Sequence, residues 1–171
     1  MIKALNTDIC EERVFSKIFN SLSNDVFNFL RYKYGDRLDP RDKVQEAFIK
    51  LWDNCKNISP EKAKAFLFTT ANNMMLNEFK HQKVVLKHQQ TKPKDYTNET
   101  PEFIMEESEY MQKYERALSN LTEAQRVAFL LNRVEGKRHK EIAEMLGISR
   151  KAVEKRLYGA LEKLRKDIDG I

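Results

Sequence analysis

Apolar side chains recur at every third or fourth position through most of this chain, which is the spacing that one face of an α-helix requires. In the N-terminal part they include Phe15, Phe19, Leu22, Val26 and Leu30. The 171 residues include only five Gly and four Pro, so few positions interrupt a helix or favour a tight turn. The pattern predicts an all-α protein made of amphipathic helices.

The periodicity is lost over a polar segment in the middle of the chain. Residues 83–100 are rich in Gln, Thr and Lys, and an acidic stretch follows them. A segment of this composition buries too little apolar surface to fold by itself. We therefore predict two small helical domains joined by a flexible linker: residues 1–84, a polar, acidic linker at 85–108, and residues 109–171.

The C-terminal domain contains the sequence form of a helix-turn-helix. Ile142 and Ala143 fall on the apolar side of a first helix, and Gly147 can turn the chain through a positive φ. Ser149 can then cap a second helix, whose apolar side begins with Val153. Because turn, cap and apolar spacing coincide, we interpret this segment as a DNA-binding unit and not as a plain helical hairpin.

Positive charge is concentrated in the same segment. The whole chain carries a formal net charge of +5, and residues 137–166 alone contain ten Lys or Arg against four Glu. Such a surface favours nucleic acid as a partner. The first turn of the second helix reaches base edges in the major groove, and flanking basic residues contact phosphates. The predicted DNA-binding residues are His139, Lys140, Ser149, Arg150, Lys151, Glu154, Lys155 and Arg156.

Residues 118–165 closely resemble region 4 of bacterial sigma factors of the extracytoplasmic-function (ECF) type. In that family this domain reads the −35 promoter element, and its most distinctive stretch here is HKEIAEMLGISRKAVEKRL, residues 139–157. A similar string occurs in the DNA-binding domains of some response regulators. The C-terminal half therefore leaves open both a sigma factor and a promoter-binding regulator with an unrelated helical N-domain.

The stretch DKVQEAFIKLWDN, residues 42–54, is similar to family region 2.2 and favours the sigma factor. Its apolar residues share one side of a helix, and polar residues with one isoleucine share the opposite side. Such a polar face suits docking onto a partner helix. The resemblance implies contact with the coiled-coil clamp helices of the RNA polymerase β′ subunit through Asp42, Gln45, Glu46, Ile49 and Asp53.

Residues 63–82 resemble, more loosely, family regions 2.3 and 2.4, which melt and read the −10 element. Asn73 keeps the Asn that lies by the family's pocket for a flipped-out base, and the loop 57–62 lines that pocket by analogy. The family's usual Trp and Arg are Phe66 and Thr69 here, which bears on the −10 sequence that is read. The implied −10 contacts are Asn57, Ile58, Phe66, Thr69, Asn73, Asn77, Lys80 and Lys83.

Together these motifs imply an ECF-type sigma factor, which binds core RNA polymerase and directs it to promoters. The implied partners are core polymerase, through its β′ clamp helices and β flap, promoter DNA, and an anti-sigma factor where the cell supplies one. The linker is either a solvated tether or, as in relatives, a segment that is threaded through the polymerase toward the RNA exit path. A helix-turn-helix regulator and a helical interaction protein without DNA contact are the alternatives.

The sequence carries no pattern typical of an enzyme, such as a Gly-rich phosphate loop or an HExxH motif. We predict no catalysis, no small-molecule substrate, no cofactor and no metal site. No apolar run reaches the roughly 20 residues that cross a bilayer, and no signal-peptide core is present, which predicts a cytoplasmic protein. Cys10 and Cys55 match no metal or redox spacing, so we expect unpaired thiols in a reducing compartment.

Overall fold

The structure is a computed structural model that describes residues 8–35, 39–88 and 102–168. Within these ranges all regular structure is helical, which confirms the predicted all-α fold. None of the described helices combines the length and the apolar composition needed to cross a bilayer. The helices are α1 (Glu12–Tyr34), α2 (Arg41–Asp53), a 3-10 turn (Cys55–Asn57), α3 (Pro60–His88), α4 (Glu102–Ser119), α5 (Glu123–Arg133), α6 (His139–Leu146) and α7 (Arg150–Asp167).

The first three α-helices enclose one core. α1 packs against α2 and α3, and α2 packs against α3. Two rings of α1, Phe15 and Phe19, meet the ring of Phe48 edge-on, an arrangement that aromatic pairs prefer. The face of α2 that the sequence predicts to be apolar is buried, with Val44, Ala47, Phe48 and Leu51.

Helices α4 to α7 form a second core around α7, which packs against each of the other three. Thr122 and Gln125 form a capping box at the start of α5, so that backbone groups left unpaired at a helix N-terminus find partners. At Gly159 of α7 the Gln125 side chain of α5 comes close, and a Cβ atom there would lie 2.7 Å from its Nε2.

The order of the helices agrees with two helical domains joined by a linker between α3 and α4. α3 continues to His88 and α4 begins at Glu102, so helix extends into both ends of the predicted linker, 85–108. Residues 89–101, which make up most of that linker, lie outside the described residues. The limits of the two domains given above stay a prediction.

Cys10 and Cys55 form a disulfide, so the prediction of unpaired thiols is wrong. The first core brings the segment before α1 next to the 3-10 turn after α2, and the two Cα atoms lie 5.1 Å apart. The sequence could not indicate this pairing, because 45 positions and two helices separate the cysteines. Closing a loop of this length constrains the unfolded chain and stabilises the fold by about 4 kcal/mol in the chain-entropy description.

Candidate nucleic-acid interface

Helices α6 and α7 form the helix-turn-helix that the sequence predicts. Gly147 ends α6 with φ 64°, in the left-handed region that glycine adopts without strain, and the Ile148 N–H donates to the Ala143 carbonyl at 3.0 Å. Ser149 caps α7, because its hydroxyl accepts a hydrogen bond from the Ala152 N–H at 3.2 Å. The angle between the two helices is therefore fixed by local backbone geometry.

The start of α6 has its own cap. The Glu141 carboxylate accepts a hydrogen bond from the Arg138 N–H at 2.8 Å. This hydrogen bond to the backbone lowers the pKa of Glu141, because it favours the charged carboxylate.

Burial on the inner side of the helix-turn-helix differs in detail from the prediction. Ile142, Ala143 and Val153 are buried as expected. Met145 is also buried, at 3% exposure, whereas its neighbour Leu146 is only partly buried. The reason is that α6 also packs against α3, so that this side of the helix meets a second neighbour.

The outer side of the helix-turn-helix presents an exposed, mostly basic surface. Tyr158 also belongs to it, at 71% exposure, but is absent from the residues predicted above. Its position seven residues after Lys151 and three after Lys155 puts it on the same face of α7, so helical spacing could have identified it. The predicted residues that are exposed are Lys140, Ser149, Arg150, Lys151 and Lys155.

Glu154, which the sequence places in the base-reading part of α7, already has partners within the domain. Its Oε1 accepts a hydrogen bond from Nε of Arg150 at 3.0 Å and lies 3.6 Å from Nδ1 of His139. The carboxylate thus links the first residue of α6 to the first residue of α7. A base amino group would have to share or replace these contacts, so Glu154 also positions Arg150.

The predicted polymerase-binding face of α2 is exposed along its whole length. Ile49 is 59% exposed, a large apolar side chain in water. Glu46 lies between Lys43 and Lys50, at 3.7 and 3.8 Å. Exposed ion pairs of this kind contribute little, so Glu46 can exchange its partners at small cost. The exposed predicted residues are Asp42, Gln45, Glu46, Ile49 and Asp53.

The predicted −10 contacts follow one stripe of α3, since successive members are three or four positions apart. Thr69, Asn73 and Asn77 are exposed, whereas Phe66 is half-buried and packs against the first core. Before the helix, Asn57 is exposed and Ile58 is half-buried against the core. Two further predicted contacts lie on α3, with side chains outside the described part: Lys80 and Lys83.

Both halves of the chain match known families. Residues 18–84 match the family described as "Sigma-70 region 2", and residues 111–164 match "Sigma-70, region 4". Together these matches cover well over half of the chain. The chain belongs to the sigma-70 family. This confirms the resemblance noted above, and we refer to α1–α3 as region 2 and to α4–α7 as region 4.

One curated relative supports the ECF type. The chain is 26% identical over 136 residues to "ECF RNA polymerase sigma factor SigE" of Mycolicibacterium smegmatis. The match covers 77% of this chain and 52% of that protein. The chain therefore spans about half the length of this relative.

Region 2 and region 4 are in contact, α1 with α5 and α3 with α6. Among the described residues, Nε of Arg126 donates across the interface to the Tyr32 carbonyl at 3.5 Å, and four side-chain pairs also cross it. They join Asp25 to Lys137, Tyr32 to Glu135, Lys33 to Glu123, and Lys64 to Glu144.

The pair of Asp25 and Lys137 is the strongest of these contacts. Nζ of Lys137 lies 2.7 Å from Oδ1 and 2.8 Å from Oδ2 of Asp25, and the side chains are 24% and 14% exposed. A charge-assisted hydrogen bond with this shielding from water contributes about 1.5–3 kcal/mol. Lys64 and Glu144, at 3.5 Å and more exposed, contribute at most about 1 kcal/mol.

A cavity of about 310 Å³ lies at the interface, between α3 and the helix-turn-helix. Its lining includes Thr69 of the −10 stripe and Glu144 and Arg156 of region 4. Arg156 is therefore half-buried at the domain interface, apart from the exposed basic surface to which the sequence assigns it. The carboxylate of Glu144 near Thr69 would repel DNA phosphates at this edge of the stripe.

The pKa values of two tyrosines of α1 depend on the interface. Burial raises the pKa of Tyr32 to about 12, and the hydrogen bond with Glu135 and its charge add to this effect. Burial also raises the pKa of Tyr34 to about 12, with a further contribution from the charge of Glu123. Both carboxylates belong to region 4, so separation of the regions would lower both pKa values.

We predict that Tyr32 and Tyr34 ionise near pH 12 in the intact chain, above the ordinary value of 10. The measurement is the ¹³Cζ chemical shift of labelled tyrosine as a function of pH. A pKa that is higher in the folded state means that the interface loses stability as pH rises from 10 through 12. Glu135→Gln should lower the pKa of Tyr32 partway, because burial remains.

Glu46→Gln, on the far face of α2, is the matched control and should leave both tyrosines unchanged. If all the assigned tyrosines ionised together near pH 10 in the native protein, the two regions would not be packed together in solution.

Proposed function

We propose that this chain is an ECF-type sigma factor, which directs core RNA polymerase to specific promoters and helps to melt the −10 element. The observation that carries the proposal is the combination, in one chain, of an exposed docking face on region 2 with a capped, basic helix-turn-helix in region 4. A helix-turn-helix regulator with an unrelated N-domain is not favoured, because region 2 occupies the N-terminal half. The proposed action is binding and strand opening without catalysis by this chain.

The α2 face is the proposed contact for the β′ clamp helices of core polymerase. Burying the exposed side chain of Ile49 in such a contact would contribute about 1.5–3 kcal/mol. Gln45 and Glu46 flank it with polar groups, and Glu46 can exchange Lys43 and Lys50 for cations of the partner. In such a face the apolar side chain contributes affinity, and the polar groups around it fix how α2 is aligned on its partner.

The outer surface of the helix-turn-helix is the proposed reader of the −35 element, and region 4 also carries the proposed contact with the β flap. Lys140, Lys151 and Lys155 would neutralise phosphates, which makes affinity dependent on salt. Arg150, in the first turn of α7, is placed to reach a guanine edge. Glu154 holds Arg150 and could accept a hydrogen bond from a cytosine amino group when its present contacts are shared.

The α3 stripe and the loop before it are the proposed site for the −10 element. Amide side chains at Asn57, Asn73 and Asn77 can hydrogen-bond to an unpaired base, and the ring of Phe66 offers an apolar edge. The site lies on region 2, next to the polymerase-binding face. Strand opening would thus take place close to the enzyme.

The two regions must separate before both promoter elements are bound. The labels −35 and −10 place the two elements about 25 base pairs apart, which is ~85 Å at 3.4 Å per base pair. Region 4 lies directly against α3, with Lys64 and Glu144 3.5 Å apart, and α6 is only ~12 Å long. We infer that the arrangement described here is the form of the chain before promoter binding.

The proposed site of action is the cytoplasm, where core polymerase and promoters are found. An anti-sigma factor is a proposed further partner. No metal or cofactor takes part in the proposed binding steps.

We predict that Gln45→Ala, Glu46→Ala and Ile49→Ala, combined, weaken binding to core polymerase at least about tenfold, because each ~1.4 kcal/mol lost is a factor of ten. Binding is measured by fluorescence anisotropy, and activity by run-off transcription with core enzyme on fragmented genomic DNA of the source organism. The matched control is Glu162→Ala, exposed on α7 and paired only locally with Lys166, which should bind normally. A chain that bound DNA tightly but never bound polymerase would refute the proposal.

We predict that Arg150→Ala weakens binding to the selected −35 sequence by about 1–3 kcal/mol, a factor of about five to 150. Lys151→Ala should weaken binding to all sequences and reduce its dependence on salt. The measurement is selection from a random DNA library, followed by titration of the selected site. Lys163→Ala, an exposed lysine farther along α7, is the control and should keep the sequence preference.

Glu154→Arg should select a different −35 sequence, because it removes both the acceptor and the carboxylate that holds Arg150. Selection of the same −35 sequence by this variant would refute the role given to Glu154.

A further inference from the structure

The Cys10–Cys55 disulfide lies where the polymerase-binding face of α2 meets the loop before α3. α2 ends at Asp53, and Cys55 begins the 3-10 turn that follows. Asn57 and Ile58, which the sequence assigns to the −10 site, are two and three residues beyond Cys55. The bond therefore ties the candidate −10 loop to the segment that precedes α1.

The backbone hydrogen bonds described for this loop are local. The Asn57 N–H donates to the Asn54 carbonyl at 2.9 Å, and the Lys62 N–H donates to the Ser59 carbonyl at 2.9 Å. Ile58 is half-buried against the first core. Hydrogen bonds between near neighbours shape a loop but do not fix its position on the domain, whereas the disulfide joins it to a distant segment.

That distant segment is anchored by one buried side chain. Ile9, next to Cys10, is completely buried in the first core. The Cys10 N–H donates to Oδ1 of Asp8 at 3.0 Å, and the Glu11 N–H donates to the Asp8 carbonyl at 3.1 Å. The disulfide therefore extends the anchorage of Ile9 to the loop of Cys55.

Both cysteines are half-buried, so a small thiol can reach the bond from solvent. Cys10 lies two residues before α1, and the thiolate is the form of a cysteine that attacks a disulfide. Lys56 adds a positive charge beside Cys55, while Glu11 and Glu12 act against it near Cys10. In a compartment that keeps thiols reduced, a disulfide is typically a transient or redox-sensing bond.

We propose that Cys10 and Cys55 form a reversible redox site that sets the order of the −10 loop. In the oxidised form the loop is tied to the segment before α1, so it loses less conformational entropy when it captures an unpaired base. In the reduced form the tie is absent and capture is weaker. The consequence for promoter opening depends on the proposed sigma function, whereas the thiol chemistry and the effect on the loop do not.

The oxidant is a low-molecular-weight disulfide, such as oxidised glutathione. A thiolate of the protein attacks it, forms a mixed disulfide and releases one small thiol. The second cysteine then attacks the mixed disulfide, closes the Cys10–Cys55 bond and releases the second small thiol. The protein loses two electrons and two protons, and the small disulfide becomes two thiols.

Trp52 makes the chemistry measurable in the full-length chain. It is the only tryptophan, three residues before Cys55, and its ring centroid lies 5.0 Å from that of Phe15. We expect its fluorescence to change in one reversible two-electron transition across glutathione buffers, with thiols counted by alkylation and mass spectrometry. Cys10→Ser should show no transition. A bond that fails to form, or that resists reduction at every ratio, would overturn the proposal.

Hydrogen exchange tests the effect on the loop. Reduction should speed amide exchange at residues 55–59 by about tenfold, and should leave α5 and α7 unchanged. The double variant Cys10→Ser, Cys55→Ser should match the reduced protein at every amide. Equal exchange in the oxidised and reduced forms would refute the control of the loop.

Run-off transcription tests the consequence for function. The chain is oxidised or reduced first, desalted, and then mixed with core polymerase. The oxidised form should give several-fold more transcript, and the double variant should give the reduced level after either treatment. Equal transcript from both forms of the unaltered chain would overturn the proposal. If neither form gave transcript while redox titration and exchange behaved as expected, the sigma function would fail and the redox site would stand.

Discussion

A half-buried ion pair, Asp25 with Lys137, holds region 2 against region 4 in this chain of the sigma-70 family. Lys137 is held in place by the turn between α5 and α6, where its N–H donates to the Leu131 carbonyl and its carbonyl accepts from the side chain of Asn132. Asp25 lies on α1, against the same turn. Removing either partner would leave a poorly solvated charge, which costs more than the loss of the bond alone. The contacts of Tyr32, Lys33 and Lys64 lie along the same interface.

This arrangement leaves the proposed polymerase and −35 surfaces exposed and places region 4 beside the proposed −10 stripe. The α2 face and the outer side of the helix-turn-helix are both accessible from solvent. The edge of α3 near Thr69 faces Glu144 and Arg156 across the interdomain cavity.

Much of this structure could be predicted from sequence, because it depends on the local spacing of side chains. The buried and exposed sides of α2 follow from helical periodicity, with Leu51 fully buried and Ile49 exposed on the same helix. The turn at Gly147 and the cap at Ser149 follow from residue types that those backbone positions prefer.

The remainder depends on contacts between distant segments. The pairing of Cys10 with Cys55 and the position of Arg156 at the interface arise from tertiary approach, which has no period in the sequence. Glu154 illustrates both cases. Its place on α7 is predictable, but its second partner, His139, comes from a different helix.

The distance between α2 and α7, measured by pulsed electron spin resonance, shows whether region 2 and region 4 are packed together and then separate. Spin labels attached through unnatural amino acids at Lys50 and Lys163, both exposed, leave the cysteines untouched. The account predicts one short distance for the chain alone, and a distance longer by several tens of ångströms with core polymerase and promoter DNA. Asp25→Ala should populate the long distance without polymerase. A distance that stayed short while transcription proceeded would contradict the account.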